Sequence, residues 1–314
     1  MPPPVKKAKD DPSVKAEDLK AGKALPMQSL LRCPLCAKPL QNKGSSLICR
    51  GGHCYDISAK GYVNFVLKRK PQKGYEAESF VERQKFLQAG YYDHILDALL
   101  DVLRAQDARH VVDAGCGEGY FARRIAQEAG SEVCALDLSK DSILLASAGS
   151  KQVCWMVADL ARMPLQDGIA DAVINVFAPA NYREFARVLR PGGTLIKVIP
   201  GPEHLRELRS AARDQLKGEA YSAQPVADYF TQNFQLTSRK TVTKAFPIAG
   251  EDLESLIRMT PLLFSADKAL IDRTGIREIT IQAHILIGAS DAKTMKKSKI
   301  RTNKEKHHDH HPSK

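Results

Sequence analysis

The chain has 314 residues, 43% of them apolar, with 47 Lys and Arg against 36 Asp and Glu for a net charge of +11. That length supports one large domain or two smaller ones, and no apolar run approaches the roughly 20 residues that a membrane span needs. The first thirty residues mix Lys with Asp and Glu and hold no apolar core, so neither a secretory signal nor an acid-poor transit peptide is expected, and the protein reads as soluble and cytoplasmic.

Most of the positive charge sits at the ends. Residues 1–32 carry seven Lys and Arg against four acids, and residues 291–314 carry eight against three, which together make +8 of the +11. Such tails either hold phosphate backbones or merely keep an unfolded end in water.

In chain order, residues 1–30 are rich in Pro and Lys without apolar period and read as a disordered leader. A Cys-rich module with a basic connector follows over 31–75. Lys60, Lys68, Arg69, Lys70 and Lys73 form the densest basic stretch of the folded part, with no acid among them. Helices are expected over 78–89, closed by Gly90, and from 93 to about 105. Short apolar runs then alternate with helix-like stretches: HVVDAG (110–115), EVCALD (132–137), QVCWMVAD (152–159), DAVINVFA (171–178) and GTLIKVIP (193–200). This alternation predicts an α/β fold, a mostly parallel sheet covered on both faces, over 76–290. Two β-rich runs at 235–248 and 277–289, with a helix between them, close the domain. The Lys- and His-rich residues 291–314 read as a disordered basic tail.

Seven cysteines in a cytoplasmic chain argue against a disulfide set. Cys116, Cys134 and Cys154 lie in strand-like runs and read as small buried hydrophobes. The other four crowd together: Cys33 and Cys36, then Cys49, His53 and Cys54. The pattern C-x2-C-x12-C-x3-H offers four ligands at loop lengths that suit one tetrahedral zinc ion, with no open position, so the role is structural. A module of some 30 residues buries too little core to fold without such a staple. Cys54 could replace His53, but adjacent side chains point apart and only one of the two is expected to bind; His53 is favoured.

VVDAGCGEG (111–119) is a strand entering a glycine-rich turn. Tyr120 stands where a dinucleotide fingerprint needs its third glycine. An acid, Asp113, directly precedes the turn of Gly115, Gly117 and Gly119; it is awkward beside a pyrophosphate and welcome beside a sulfonium or ammonium cation. This favours S-adenosylmethionine (SAM) over NAD. Asp137 ends the next strand, where a carboxylate can take both ribose hydroxyls. Asp159 ends the third, within reach of an adenine amino group, and Phe177 ends the fourth. A single one of these acids is more often a helix cap; three at successive strand ends point to SAM.

CPLC, C-x3-H, YDISAKGYVNF (55–65), FLQAGYY (86–92), DAGCGEGY (113–120), FAPA (177–180), RVLRPGG (187–193) and PGPEHLREL (200–208) together resemble, in this order, the bacterial 23S rRNA (guanine-N1-)-methyltransferases. The resemblance covers about 31–289. The glycine turn is shared by many methyltransferases; the zinc pattern joined to YD-x4-GYVN is far more specific. It implies a Rossmann-like class I SAM-methyltransferase domain with a seven-stranded sheet, zinc on Cys33, Cys36, Cys49 and His53, and SAM contacts from Tyr92, Gly117, Glu118 and His204. It also implies a homodimer and methylation of guanine N1 in a hairpin loop of 23S rRNA, with one choice of guanine linked to macrolide resistance. Gly74-Tyr75-Glu76 departs from the Gly-Asp-Ser that many members carry there, which bears on target choice.

Guanine N1 carries a proton that must leave, and it lies on the pairing edge, so a loop base splayed into a pocket is expected, with Tyr92 or Phe177 as stacking faces. No carboxylate follows Phe177-Ala178-Pro179 at once, so the sequence leaves water, a backbone carbonyl and a side chain open as the proton's acceptor. Lys68, Arg69 and Lys70 are expected to hold the RNA backbone. The rival readings are a methyltransferase for a small metabolite, with the zinc module serving dimerisation, and a SAM-sensing binding module without turnover.

Overall fold

The computed structural model describes residues 25–66, 76–216 and 222–290; Lys68, Arg69, Lys70 and the terminal tail lie outside them. The Cys-rich module opens with three short strands, β1 (Leu40–Lys43), β2 (Ser46–Cys49) and β3 (Cys54–Asp56), paired antiparallel in that order. Its first hairpin turns at Gly44 and Ser45, with Gly44 at φ +71°, the left-handed geometry that twist-matched two-residue turns require.

β4 (Tyr62–Asn64) leaves this small sheet for the large one. There follow α1 (Ala77–Gln88), α2 (Asp93–Ala105), β5 (His110–Ala114), α3 (Tyr120–Glu128), β6 (Glu132–Asp137), α4 (Lys140–Ala148), β7 (Val153–Val157) and β8 (Ala170–Val176). The rest comprises α5 (Tyr182–Val188), β9 (Leu189–Pro200), α6 (Arg206–Ala211), α7 (Gln224–Asn233), β10 (Gln235–Pro247), α8 (Gly250–Met259) and β11 (Glu278–Ala289). The large sheet has the order β10-β11-β9-β8-β5-β6-β7-β4. Neighbours from β9 to β4 pair in parallel, and β11 enters antiparallel between β9 and β10.

Eight strands therefore stand where seven were expected. The addition is β4, whose Tyr62, Val63 and Asn64 pair with Trp155, Met156 and Val157. The module of 31–75 thus contributes the edge of the catalytic sheet.

Strands covered on both faces should be apolar throughout, and β7 is buried at all five positions. Alternate residues serve alternate cores, as the two-residue strand period demands. Val111, Val133, Ala135, Val153 and Trp155 pack with α2 and α3, whereas Val112, Cys134, Leu136, Cys154 and Met156 face the other way. That second core also contains Leu31, Cys33, Leu47, Cys49 and Tyr55, so the Cys-rich module is continuous with the sheet's own interior.

Two sequence expectations need correction. The last residues of the leader are packed: Leu25 is buried, Asn42 donates to the Gln28 side chain, and the Leu30 carbonyl accepts from the Gln166 amide. Composition could not show partners so distant in sequence. The stretch NYREFARVLRPGG (181–193) reads as helix-like, but its helix ends at Val188 and β9 begins at once, because Leu189 pairs with Ala170.

Gly119, at φ +83°, has no room for a side chain: a Cβ would lie 2.4 Å from the Trp155 ring. Gly130, at φ +67°, has open space around it. Gly119→Ala should therefore cost about 3 kcal/mol in urea denaturation, combining overpacking with left-handed backbone strain, and Gly130→Ala only about 1 kcal/mol.

Candidate functional site: a Cys3His cluster and two adjoining cavities

Around the Cys-rich module the ligand atoms of Cys33, Cys36, Cys49 and His53 all lie within 4.8 Å of one another. Cys33 Sγ and Cys49 Sγ each lie 3.4 Å from His53 Nδ1, and Cys36 Sγ lies 3.5 Å from Cys49 Sγ. Zinc bonded at about 2.3 Å to sulfur and about 2.0 Å to nitrogen sets tetrahedral neighbours about 3.5–3.8 Å apart, so the four residues fit that ion. Cys54, exposed at the start of β3, is not among them. Burial pushes the Cys49 thiol up, but the backbone amide of His53 and the neighbouring Cys36 outweigh it and bring it to about 6. The Tyr55 hydroxyl lies 3.3 Å from Cys33 Sγ, and its ring packs on Phe65 at 4.8 Å. The YD motif after the ligands thus supplies an outer partner that orients a thiolate.

At the carboxyl ends of the parallel strands two cavities adjoin. One, of about 560 Å³, is lined by Asp113, Gly117, Glu118, Asp137, Asp159 and Phe177, among others. The other, of about 720 Å³, is lined by Tyr92, Phe177, Tyr182, Lys197, His204 and Tyr229, among others. Arg83, Phe177, Ala178 and Pro179 belong to both walls.

The first cavity is built around the glycine turn. A Cβ on Gly115 would come within 2.6 Å of the Ala178 methyl, so both Gly115 and Gly119 are required by packing. Gly117, at φ +56°, has nothing nearer than Arg83 Nε at 3.8 Å and is the glycine that leaves the backbone open to a ligand. Its N–H donates to Asp137 Oδ2 at 3.0 Å, and Asp137 Oδ1 accepts from the Ser139 amide at 2.7 Å. Asp159 caps the following turn by accepting from the Ala161 amide. Both acids are therefore backbone caps as well as cavity walls, and ribose or adenine donors would share their remaining lone pairs.

Asp113 is 1% exposed, and its Oδ2 has no hydrogen-bond partner. Burial, then the nearby Glu118 and Asp137 carboxylates, push its carboxyl up to about 8. A buried carboxyl oxygen with no donor is costly alone and fits a cofactor that carries a cationic centre, as SAM does. Glu118, equally buried, is paired with Arg83 at 3.1 Å.

Tyr92 and His204 line the second cavity rather than the first. Their rings and that of Phe177 form a triangle, with centroids 5.7 Å from Tyr92 to Phe177, 5.3 Å from Phe177 to His204 and 6.4 Å from Tyr92 to His204. Phe177, at φ +49° without being glycine, occupies a strained conformation of the kind that gathers at functional sites. Sequence reasoning passed over Lys197 and Arg83. Lys197 had a legible signal: it is the single charge inside GTLIKVIP, a run expected to be buried on both faces.

A glycine turn after a parallel strand, acids at the next two strand tips and an antiparallel final strand define a class I SAM-dependent methyltransferase domain. Residues 111–193 match the family model described as a methyltransferase domain, and residues 31–67 match the zinc-ribbon model described as RlmA, N-terminal. A Streptomyces fradiae protein named 23S rRNA (guanine(748)-N(1))-methyltransferase is 32% identical over 271 residues, 80% of this chain and 93% of that one. YxjB of Bacillus subtilis (strain 168), named as a candidate 23S rRNA (guanine-N(1)-)-methyltransferase, is 36% identical over 275 residues, 83% of this chain and 97% of that one. The crystal structure of a candidate methyltransferase from Bacillus halodurans C-125 superposes with a TM-score of 0.42 at 18% identity, covering 62% of this chain and 98% of that one. The chain belongs to the 23S rRNA (guanine-N1)-methyltransferase family.

Two outcomes follow for the site. Purified protein should carry about one zinc per chain by elemental analysis; Cys49→Ala should abolish it, and Tyr55→Phe should weaken it roughly tenfold, as loss of an outer partner does. A sulfonium held against Asp113 would need its carboxylate form, and burial pushes that carboxyl up to about 8. Calorimetric affinity should therefore rise roughly tenfold per pH unit between about pH 6 and 8, and Asp113→Asn should bind weakly at every pH.

Proposed function

We propose that the protein transfers the SAM methyl group to N1 of a guanine in a hairpin loop of 23S rRNA. The observation that carries the reading is the pair of adjoining cavities that meet at Phe177–Pro179, joined in one fold to a zinc ribbon of the matching family. The acid-rich cavity suits the donor, with Asp113, Gly117, Asp137 and Asp159 holding it. SAM supplies a methyl group already activated by its sulfonium, so the protein's part is alignment and exclusion of water. The second cavity, walled by Tyr92, Phe177, His204 and Tyr229, suits a flat base turned out of its loop. A cofactor held in the first cavity would end at the junction that Tyr92 and His204 border.

His204 is pushed down to about 3, mainly by burial, and so stays neutral; its Nδ1 accepts the Gln282 amide N–H at 3.3 Å. The tautomer left by that bond carries its proton on Nε2, a donor suited to a guanine acceptor atom. The zinc ribbon and Lys68, Arg69 and Lys70 would hold the RNA stem by phosphate and shape. No helix among the described residues is long and apolar enough to cross a membrane. Family likeness supports action in the cytoplasm as a homodimer, and the choice of loop guanine, with any link to macrolide resistance, would follow from the RNA-holding segment.

Unmodified 23S rRNA transcript incubated with labelled SAM should yield a primer-extension stop at one loop guanine, because N1-methylguanine blocks pairing. Neutralising Lys68, Arg69 and Lys70 together should weaken RNA binding at least about tenfold and flatten its salt dependence without changing SAM affinity. Methyl incorporation into small acceptors but into no rRNA would contradict this reading.

A further inference from the structure

No carboxylate lines the second cavity among the described residues, and this restricts where a proton can go when a base placed there is methylated. The inference rests on the reading above, in which that base is guanine and N1 gives up its proton. Each titratable group facing the cavity can be weighed in turn. Arg83 and Arg209 are set aside because a guanidinium has only N–H donors and no lone pair to accept a proton. The Tyr92 and Tyr182 phenols are pushed up by burial, Tyr182 to about 12, and Tyr229 stands at the rim, 55% exposed. His204 has its Nδ1 lone pair taken by the Gln282 amide, which leaves Nε2 a donor. Lys197 remains.

Lys197 lies on β9 at 4% exposure, and no ion pair holds it among the described residues. The Asn175 side chain donates its amide to the Ala114 carbonyl and to the Pro179 carbonyl, so its Oδ1 is the atom left to face Lys197. Lys197 Nζ donates to that Oδ1 and to the Ala178 carbonyl. A neutral amine has two N–H bonds and one lone pair. With both N–H bonds given to these oxygens, the lone pair takes the one tetrahedral direction not already filled. Burial alone pulls the ammonium down to about 8, so a useful share is amine near neutral pH, as suits a buried lysine base.

We propose that Lys197 is the general base of the reaction, its amine lone pair receiving the N1 proton of the guanine held in the second cavity. As the N1–methyl bond forms, the N1–H bond breaks with its proton passing to Nζ, and the carbon–sulfur electron pair stays on sulfur. One positive charge disappears from the sulfonium and one appears on Lys197, so the balance closes without another reactant. The Asn175 and Ala178 oxygens then hold the new ammonium by the same two bonds.

Single-turnover methylation of the 23S rRNA transcript at saturating labelled SAM, followed from about pH 6 to about pH 9, tests this with wild type, Lys197→Gln and Lys197→Arg. SAM affinity would be measured beside each. The wild-type rate should rise with pH to a plateau. Both variants should bind SAM normally and lose about 10²–10⁴-fold in rate, the remainder climbing with hydroxide and reaching no plateau. Variants that keep the rate within roughly threefold, or keep the plateau at a lower rate, would make Lys197 a packing residue and overturn the assignment. Should Lys197→Gln fail to fold, Lys197→Arg and the wild-type profile decide the matter; a wild-type rate independent of pH overturns it. A wild type that binds SAM yet forms no N1-methylguanine overturns the guanine reading and the base with it, an outcome distinct from an active wild type with unchanged variants.

Discussion

The close approach of the glycine turn to its two neighbours fixes the position of everything that acts. Gly115 rests against Ala178 on one side and Gly119 against Trp155 on the other, at separations that exclude even a methyl group. Ala178 belongs to the short segment that divides the two cavities, and Trp155 lies in β7, the strand to which the zinc module's β4 is paired. Pressing the turn between them sets the first cavity, the dividing wall and the sheet edge in one rigid relation. Close packing of this kind transmits small shifts rather than absorbing them.

Charge is distributed across that wall with opposite signs. Asp113, Glu118, Asp137 and Asp159 line the first cavity, whereas the second, among the described residues, has Lys197, His204 and Arg209 among aromatic and aliphatic residues and no acid, Arg83 being shared. A cationic donor in the first cavity and an anionic nucleic acid at the second would each meet a complementary field. Phe177 stands between the two fields, in a backbone conformation that few residues of its size adopt. Arg83 reaches both sides, and its bond to Glu118 ties the first cavity's wall to α1.

The architecture was largely legible from the chain, and for a physical reason: strands buried on both faces must be almost wholly apolar, so β5 to β8 announced themselves as runs. The glycine turn and the acids at strand tips followed from where those runs stop. What was hidden depended on contacts remote in sequence. Nothing in Tyr62–Asn64 says that it pairs with β7, since three residues are too few for any period to show, and Leu25 is held by partners that only the fold assembles. The helices α4, α6 and α7 are short or weakly patterned beside their neighbours. Asp137 and Asp159 show the limit from the other direction, because each is both the cap that residue statistics predict and the wall of a cavity. Lys197 was visible as a lone charge in an apolar run, but its meaning needed Asn175 and the Ala178 carbonyl beside it.

The pairing of β4 with β7 makes the zinc ribbon a cover as well as a module. A chain cut after residue 66 would lose its ribbon and leave Val153–Val157 as a bare, wholly apolar edge, with unpaired amides and carbonyls along one side. Exposed edges of that kind recruit further strands and drive aggregation. The catalytic half is therefore unsuited to life as an independent enzyme, and oxidation of the three metal-site thiols would register first as loss of solubility rather than as loss of chemistry.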